Sequence, residues 1–252
     1  MRIAVAGGTG WIGRLVVDEV RRSGDTAVVL SRGTGVDLTT GSGLATKLDG
    51  ADVVIDVSNI AAGTSRAAIA FFDAATRHLL AAERDVGIGH HVALSIVGID
   101  RVDLGYYLGK RRQVELIEAG PVPWTVLPAT QFHEFAAQML AGRSPVVAVP
   151  RMLSQPVAAS EVARLLAELA RAAPAGLVGD LAGPEQHRMP DLVRRLARAR
   201  GDRRLVFSAP TPGKVDRQIA AGGLLPRGGT RGSITFEEWL ASPAAARRRA
   251  DG

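Results

Sequence analysis

The chain has two tyrosines, and one of them, Tyr106, stands four residues before Lys110, one of only three lysines (Lys47, Lys110 and Lys214). Residues four apart share a face of a helix, so the Tyr-x-x-x-Lys spacing carries a phenol and an ammonium toward one point. A free phenol titrates near ~10, and an adjacent cation that favours the phenolate brings proton exchange closer to neutral pH. Ser95 closes the apolar run before them. That places a hydroxyl at the carboxyl end of a strand, where open α/β sheets bind ligands. Tyr107 directly follows Tyr106 and competes with it for the acid–base role.

A second cluster of chemical interest is Gly7-Gly8-Thr9-Gly10-Trp11-Ile12-Gly13. Between a strand and a helix, the first glycine permits the tight turn, the second lets the backbone approach a diphosphate, and the third lets the helix pack on the sheet. The helix N-terminus adds free N–H groups and a positive dipole. An acidic residue at the end of the second strand would bind a ribose 2′-hydroxyl and repel a 2′-phosphate. Here that strand ends Val29-Leu30-Ser31-Arg32-Gly33, and a guanidinium can grip a phosphate with paired hydrogen bonds. The cofactor expected is therefore NADP(H).

These groups need a scaffold, and the chain spells one out. Met1–Gly7 reads as a strand, Trp11–Arg22 as a helix, Thr26–Leu30 as a strand, then Ala51–Val57, a β-branched run suited to burial on both faces. Helix Ala67–Arg84, strand His91–Ser95, helix Lys110–Ala119 and strand Trp124–Leu127 continue the alternation, which predicts a Rossmann-type, doubly wound parallel α/β sheet. Beyond Gln131 the rhythm changes: helix Phe135–Leu140, extended Pro145–Pro150, helix Ser160–Ala172 capped by Ser160, strand Leu177–Leu181 and helix Pro190–Arg200 ended by Gly201. Gly213–Gly232 reads as a loop or lid. Residues 1–132 form the expected NADP(H)-binding domain and 133–242 a mainly substrate-binding lobe, with a strand near 177–182 returning to the main sheet. Residues 243–252 form a flexible tail.

Composition narrows the partners. At 252 residues and 46% hydrophobic content the chain can bury a substantial core, and no apolar run reaches the ~18 to 20 residues of a membrane span. The start runs directly into the glycine turn with no room for a signal peptide, and there is no cysteine, which fits a cytoplasmic protein. The net charge of +6 is almost all arginine, scattered over helical faces and the terminal Arg247-Arg248-Arg249, which reads as a solvated surface rather than a nucleic-acid site. The expected partner is a small-molecule substrate, with no nucleic acid and no membrane, for a monomer or homodimer. His90-His91 lack a carboxylate at ligand spacing and read as strand-entry residues, so no metal site is expected. His133 follows Gln131-Phe132 and could line a pocket or exchange protons, or serve as a helix cap or surface residue.

Taken together, the glycine turn, Ala93-Leu94-Ser95-Ile96-Val97-Gly98, Tyr106-Tyr107-Leu108-Gly109-Lys110, Trp124 to Phe132 and Phe236-Glu237-Glu238-Trp239-Leu240 make the chain resemble the short-chain dehydrogenase/reductase superfamily. The resemblance is nearest to its atypical branch related to NmrA and to NAD(P)H-binding quinone and isoflavone reductase-like proteins. It implies that Tyr106 is the general acid–base group, Lys110 its tuner and ribose anchor, and Ser95 the group orienting a carbonyl. It further implies that Asp37-Leu38 border the adenine, Ser58-Asn59 a ribose, and Thr130-Gln131-Phe132 the nicotinamide and substrate. The reaction expected is hydride transfer from NADPH to a small carbonyl, quinone or conjugated double bond. A non-catalytic NADP(H)-binding regulator of the NmrA type is the alternative. A nucleotide-sugar epimerase fits less well, given the short C-terminal lobe and the missing acid after the second strand.

Overall fold

The computed structural model describes residues 1–142, 144–211 and 213–246. In chain order the elements of the first half are β1 (Arg2–Ala6), α1 (Trp11–Arg22), β2 (Thr26–Leu30), α2 (Leu44–Leu48), β3 (Val53–Asp56), α3 (Ser65–Val86), β4 (His90–Ile96), α4 (Gly105–Glu118) and β5 (Trp124–Ala129). The second half adds α5 (Phe135–Met139), β6 (Val146–Pro150), β7 (Leu153–Ser154), α6 (Ala159–Arg171), β8 (Gly176–Leu177), β9 (Leu181–Ala182) and β10 (His187–Arg188). It ends with α7 (Met189–Ala199), β11 (Leu205–Ala209), α8 (Lys214–Ala220), β12 (Thr230–Arg231), α9 (Phe236–Ala241) and α10 (Pro243–Ala246).

The main sheet runs β12-β9-β5-β4-β3-β1-β2, with β8 also paired to β5, and its pairings are parallel. Burial on both faces explains the apolar strands. Ile3, Val5, Val53 and Ile55 join the core under α1 and α6, while Ala4, Ala6 and Val54 join the one that holds Leu79, Leu80 and Ile117 of α3 and α4. This is the doubly wound Rossmann-like architecture the alternation predicts.

A third core, built from α5, α7, α9 and the parallel ribbon β6–β11, forms the C-terminal part. It includes Val102 and Tyr107 from the first half, so α4 is shared between the two parts. No described helix is long and apolar enough to cross a membrane.

Several elements differ from the sequence reading. The helix expected to start at Lys110 begins at Gly105, which puts Tyr106 in its first turn. Ser160 does not cap α6; the N-cap is Ala158, without a side-chain hydrogen bond. Leu177–Leu181 is not one strand but the space between two short ones, Gly176–Leu177 beside β5 and Leu181–Ala182 between β5 and β12. The glycine-rich stretch 213–232 contains α8 and β12. Gly223 there sits where a Cβ would meet Val102 and the Gln218 carbonyl, so glycine serves close packing as well as bends. The tail begins folded, since α10 is one helical turn with Ala245 buried; residues 247–252 lie outside the described residues.

Candidate cofactor and active site

Every residue in this region hangs from the carboxyl edge of the parallel strands. After β1 the chain turns at Gly7, whose φ of 78° is left-handed, and a Cβ there would stand 2.9 Å from Ser58 Cα at the end of β3. At Gly13 a Cβ would run into the Gly7 carbonyl, so α1 can lie on the turn only with glycine in its first turn. Gly10 is the N-cap of α1, with no side-chain cap and no acidic residue in the first turn, and Thr9 and Gly10 are exposed. The helix therefore points uncapped N–H groups and its positive end outward. Trp11 packs on Phe132 with ring centroids 5.7 Å apart, which joins the turn to the end of β5; Ile12 is buried beneath it.

At the end of β2, Ser31 and Thr34 close a 3-10 turn reciprocally: Ser31 N–H donates to Thr34 Oγ1 at 3.1 Å, and the two hydroxyls lie 3.3 Å apart. Arg32, inside that turn, is exposed; its carbonyl accepts the Gly35 N–H at 3.1 Å, and its guanidinium makes no hydrogen bond or salt bridge among the described residues. Asp37 accepts from the Thr39 hydroxyl at 2.6 Å and the Thr39 N–H at 2.8 Å, bonds that with the Arg32 charge hold its carboxyl below the usual range. Leu38 is tied to α3 through its carbonyl, 3.2 Å from His78 Nδ1.

The Tyr106–Lys110 pair is not assembled as its spacing implies. Tyr106 donates its hydroxyl to Asn59 Oδ1 at 2.6 Å and packs edge-on against Phe72. Lys110 is 4% exposed and sends its ammonium inward, over the Phe72 ring, to the Leu94 carbonyl at 2.8 Å and Gln113 Oε1 at 2.6 Å. Gln113 in turn donates to Asp56 Oδ2 at 2.8 Å, and Asp56 Oδ1 accepts from the Ser58 N–H at 2.8 Å. Burial lowers the lysine to about 8 against the opposing pull of Asp56. The phenol moves the other way: burial first, then Tyr107 and Asp56, push Tyr106 up, so Lys110 does not tune it here. An i, i+4 spacing sets only a face; here Lys110 reaches past Tyr106 to the Leu94 carbonyl and to Gln113, which bridges to the buried Asp56.

Ser95 Oγ, at the end of β4, is 3% exposed and unpartnered, as are Ser58 Oγ and Gln131 Oε1 at the ends of β3 and β5. Buried polar atoms are as a rule paired. Three uncommitted oxygens at one sheet edge, beside a cradle that a Cβ would fill, match a polar dinucleotide and substrate in chemistry. Thr130 is committed elsewhere, its hydroxyl donating to the Gln155 carbonyl at 2.6 Å. His133 is 2% exposed, packs its ring against Phe236 and Trp239, places Nε2 3.0 Å from the Ile234 carbonyl and leaves Nδ1 without a partner. Its neighbour Glu134 accepts from Trp239 Nε1 at 2.9 Å and is raised by burial to about 7. His90 and His91 have structural partners in Thr125 and Glu83, each at 2.8 Å.

Sequence reasoning missed Asp56 and Gln113. An acid inside a β-branched run was the available signal for the first; Gln113, one helical turn beyond Lys110, gave none.

No protein-family model matches the chain, and no curated protein matches it in sequence. Solved structures do. A UDP-N-acetylglucosamine 4-epimerase from Bacillus cereus superposes with a TM-score of 0.71 at 16% identity, covering 100% of this chain and 98% of that one. The Thermus thermophilus UDP-glucose 4-epimerase in complex with NAD gives 0.68 at 17% identity, covering 91% and 95%. A short-chain dehydrogenase/reductase superfamily protein from Agrobacterium tumefaciens with bound NAD gives 0.69 at 17%, covering 99% and 97%. At these identities the likeness shows a shared fold, the Rossmann-like doubly wound sheet. Coverage of nearly the whole epimerase chains also removes lobe length as a distinction from them.

Proposed function

We propose that this chain is an NADP(H)-dependent oxidoreductase of the short-chain dehydrogenase/reductase type, reducing a small carbonyl, quinone or conjugated double bond. The observation that carries this reading is the glycine cradle at Gly7, Gly10 and Gly13, opening an uncapped helix one strand away from an uncommitted arginine. The structural neighbours named with NAD support a nicotinamide dinucleotide. The choice of NADP(H) rests on Arg32 and Ser31, and on the absence of an acid at the end of β2.

In this reading Gly7, Thr9, Gly10, Trp11, Ile12 and Gly13 hold the diphosphate, Ser31 and Arg32 the 2′-phosphate, and Asp37 and Leu38 flank the adenine. Ser58, Asn59 and the Thr130 backbone line the path to the nicotinamide. When bound, the cofactor supplies hydride. Ser95 offers its free hydroxyl to the substrate oxygen, and Tyr106, whose raised pKa keeps it protonated, is the proton donor resting on Asn59. Lys110 acts from behind, holding Gln113 and Asp56 and through them the Ser58 backbone. Residues 1–132 carry the cofactor, and 133–242 close over the substrate.

One observation favours the second reading, a cofactor-binding regulator of the NmrA type. Tyr106 and Lys110 are bound to separate partners rather than to each other, an arrangement that leaves cofactor binding intact without an activated phenol. Titration with NADPH and NADH, followed by a panel of aldehydes and quinones, separates the two. NADPH oxidation that Tyr106→Phe reduces at least ~100-fold supports the enzyme, general acid catalysis being worth about that much; tight NADPH binding with no turnover of any acceptor supports the regulator.

A further inference from the structure

We infer that Tyr107 and Gln131 form a recognition pair for the reacting end of the substrate, and that they select an uncharged acceptor with a hydroxyl beside its carbonyl, an α-hydroxyketone. This deepens the oxidoreductase reading and rests on it.

Gln131 Nε2 donates to the Tyr107 hydroxyl oxygen at 3.2 Å, the single side-chain hydrogen bond that either residue makes among those described. The other end of the amide, Oε1, is buried without a partner. In this orientation the Tyr107 O–H is a donor without an acceptor and Gln131 Oε1 an acceptor without a donor. If the amide is turned over, the phenol donates to Oε1, which leaves Nε2 as the free donor and the phenol oxygen as the free acceptor. Either way the pair presents one donor and one acceptor side by side, and buried polar groups left unpaired are costly, so a ligand that pairs both is favoured.

Charge and position narrow the ligand. Burial pushes the Tyr107 phenol up to about 12 against the opposing Gln131 hydrogen bond, so the pair is neutral and brings no positive charge to a carboxylate or phosphate. The nearby cations are engaged: Arg111 with the Ile99 carbonyl and Asp103, Lys214 with Asp103 at 2.7 Å, and Arg101 with the Leu225 carbonyl at 3.0 Å. Tyr107 belongs to the apolar cluster that includes Val102, Val149, Met152 and Leu224, drawn from both parts of the chain. Gln131 adjoins Phe132, whose ring meets Trp11 at the glycine turn. The pair thus lies between the cofactor turn and an apolar wall. A carbonyl accepts from one member while the adjacent hydroxyl donates to the other.

The test compares acetoin with 2-butanone, which differ by that hydroxyl, as ligands of the NADP+-loaded protein in ligand-observed NMR titrations. The wild type should bind acetoin about tenfold more tightly, as a site built to hydrogen-bond a hydroxyl does at its least selective. Tyr107→Phe and Gln131→Leu should each bring the two ketones within about twofold of one another by weakening acetoin alone. Equal binding by the wild type, no detectable binding of either ketone, or a preference that survives both substitutions overturns the inference. So does a loss confined to NADPH affinity, which would assign the pair to the cofactor's carboxamide. An NADPH titration of the wild type distinguishes the failures: no complex sinks the cofactor reading itself, whereas a normal complex without hydroxyketone preference sinks this inference alone.

Discussion

The glycine turn and the first turns of α4 stand at the same sheet edge and use their polar atoms in opposite ways. Around the turn, α1 is uncapped and the exposed Arg32 guanidinium makes no hydrogen bond among the described residues. On α4, Tyr106 is bonded to Asn59, while Lys110 is bonded to Leu94 and Gln113 beneath the surface. The first arrangement has groups left over for a ligand. In the second, the polar groups are holding the protein together. Two motifs of similar clarity in sequence therefore differ in what they offer, and the difference comes from the strands beneath them: β1 runs into a glycine turn at Gly7, whereas β3 ends in a buried carboxylate, Asp56.

The severest way to break this contrast is at Gly13. Gly13→Val puts side-chain atoms where the Gly7 carbonyl already is, so NADPH binding should disappear in a fluorescence titration, with a fall in melting temperature. A valine variant that binds normally would mean the turn is not the cofactor cradle.

The next largest effect tests the committed side. Lys110 falls from 10.5 to about 8 in the fold, so below pH 8 folded and unfolded chains are both protonated and the burial penalty is constant. Between about 8 and 10.5 only the unfolded chain holds the proton, and stability should rise with pH by up to about 3 kcal/mol. Denaturant titrations of wild type against Lys110→Met should show that rise only in the wild type. Parallel curves would place the ammonium in solvent and restore it as a ribose ligand.

Arg32→Ala sharpens the uncommitted side. Loss of a charge-assisted contact should weaken NADPH about tenfold to hundredfold while NADH affinity stays within about twofold. Equal effects on both would remove the 2′-phosphate assignment. The smallest expected effect is on stability at Tyr106, where Tyr106→Phe removes one hydrogen bond to Asn59, about 1 kcal/mol by chemical denaturation. A loss several times larger would make the phenol a structural strut instead of a proton donor.

How legible was this in the residues? The first 130 positions were largely so, because a parallel sheet covered on both sides leaves continuous apolar strands and helices with one apolar stripe. The helix Trp11–Arg22 and strand Thr26–Leu30 match residue for residue. Legibility failed where tertiary partners decide. Nothing local to Lys110 reveals that Asp56, far away in sequence, sits opposite it through Gln113. Nothing near His133 in sequence announces that Phe236 and Trp239 pack against it from the other end of the chain. The short strands β8, β9 and β12 exist because β5 and β9 provide edges, with little propensity of their own.

That late arrival has a consequence for biosynthesis. Glu161 accepts the Ser233 N–H at 2.6 Å, and β12 closes the edge beside β9, so the sheet begun at Arg2 is sealed by residues beyond 229. While the ribosome is still adding those residues, β9 is an open border able to template pairing with another nascent chain. A chain truncated before Thr230 should therefore show up as insoluble product rather than as a shorter working protein.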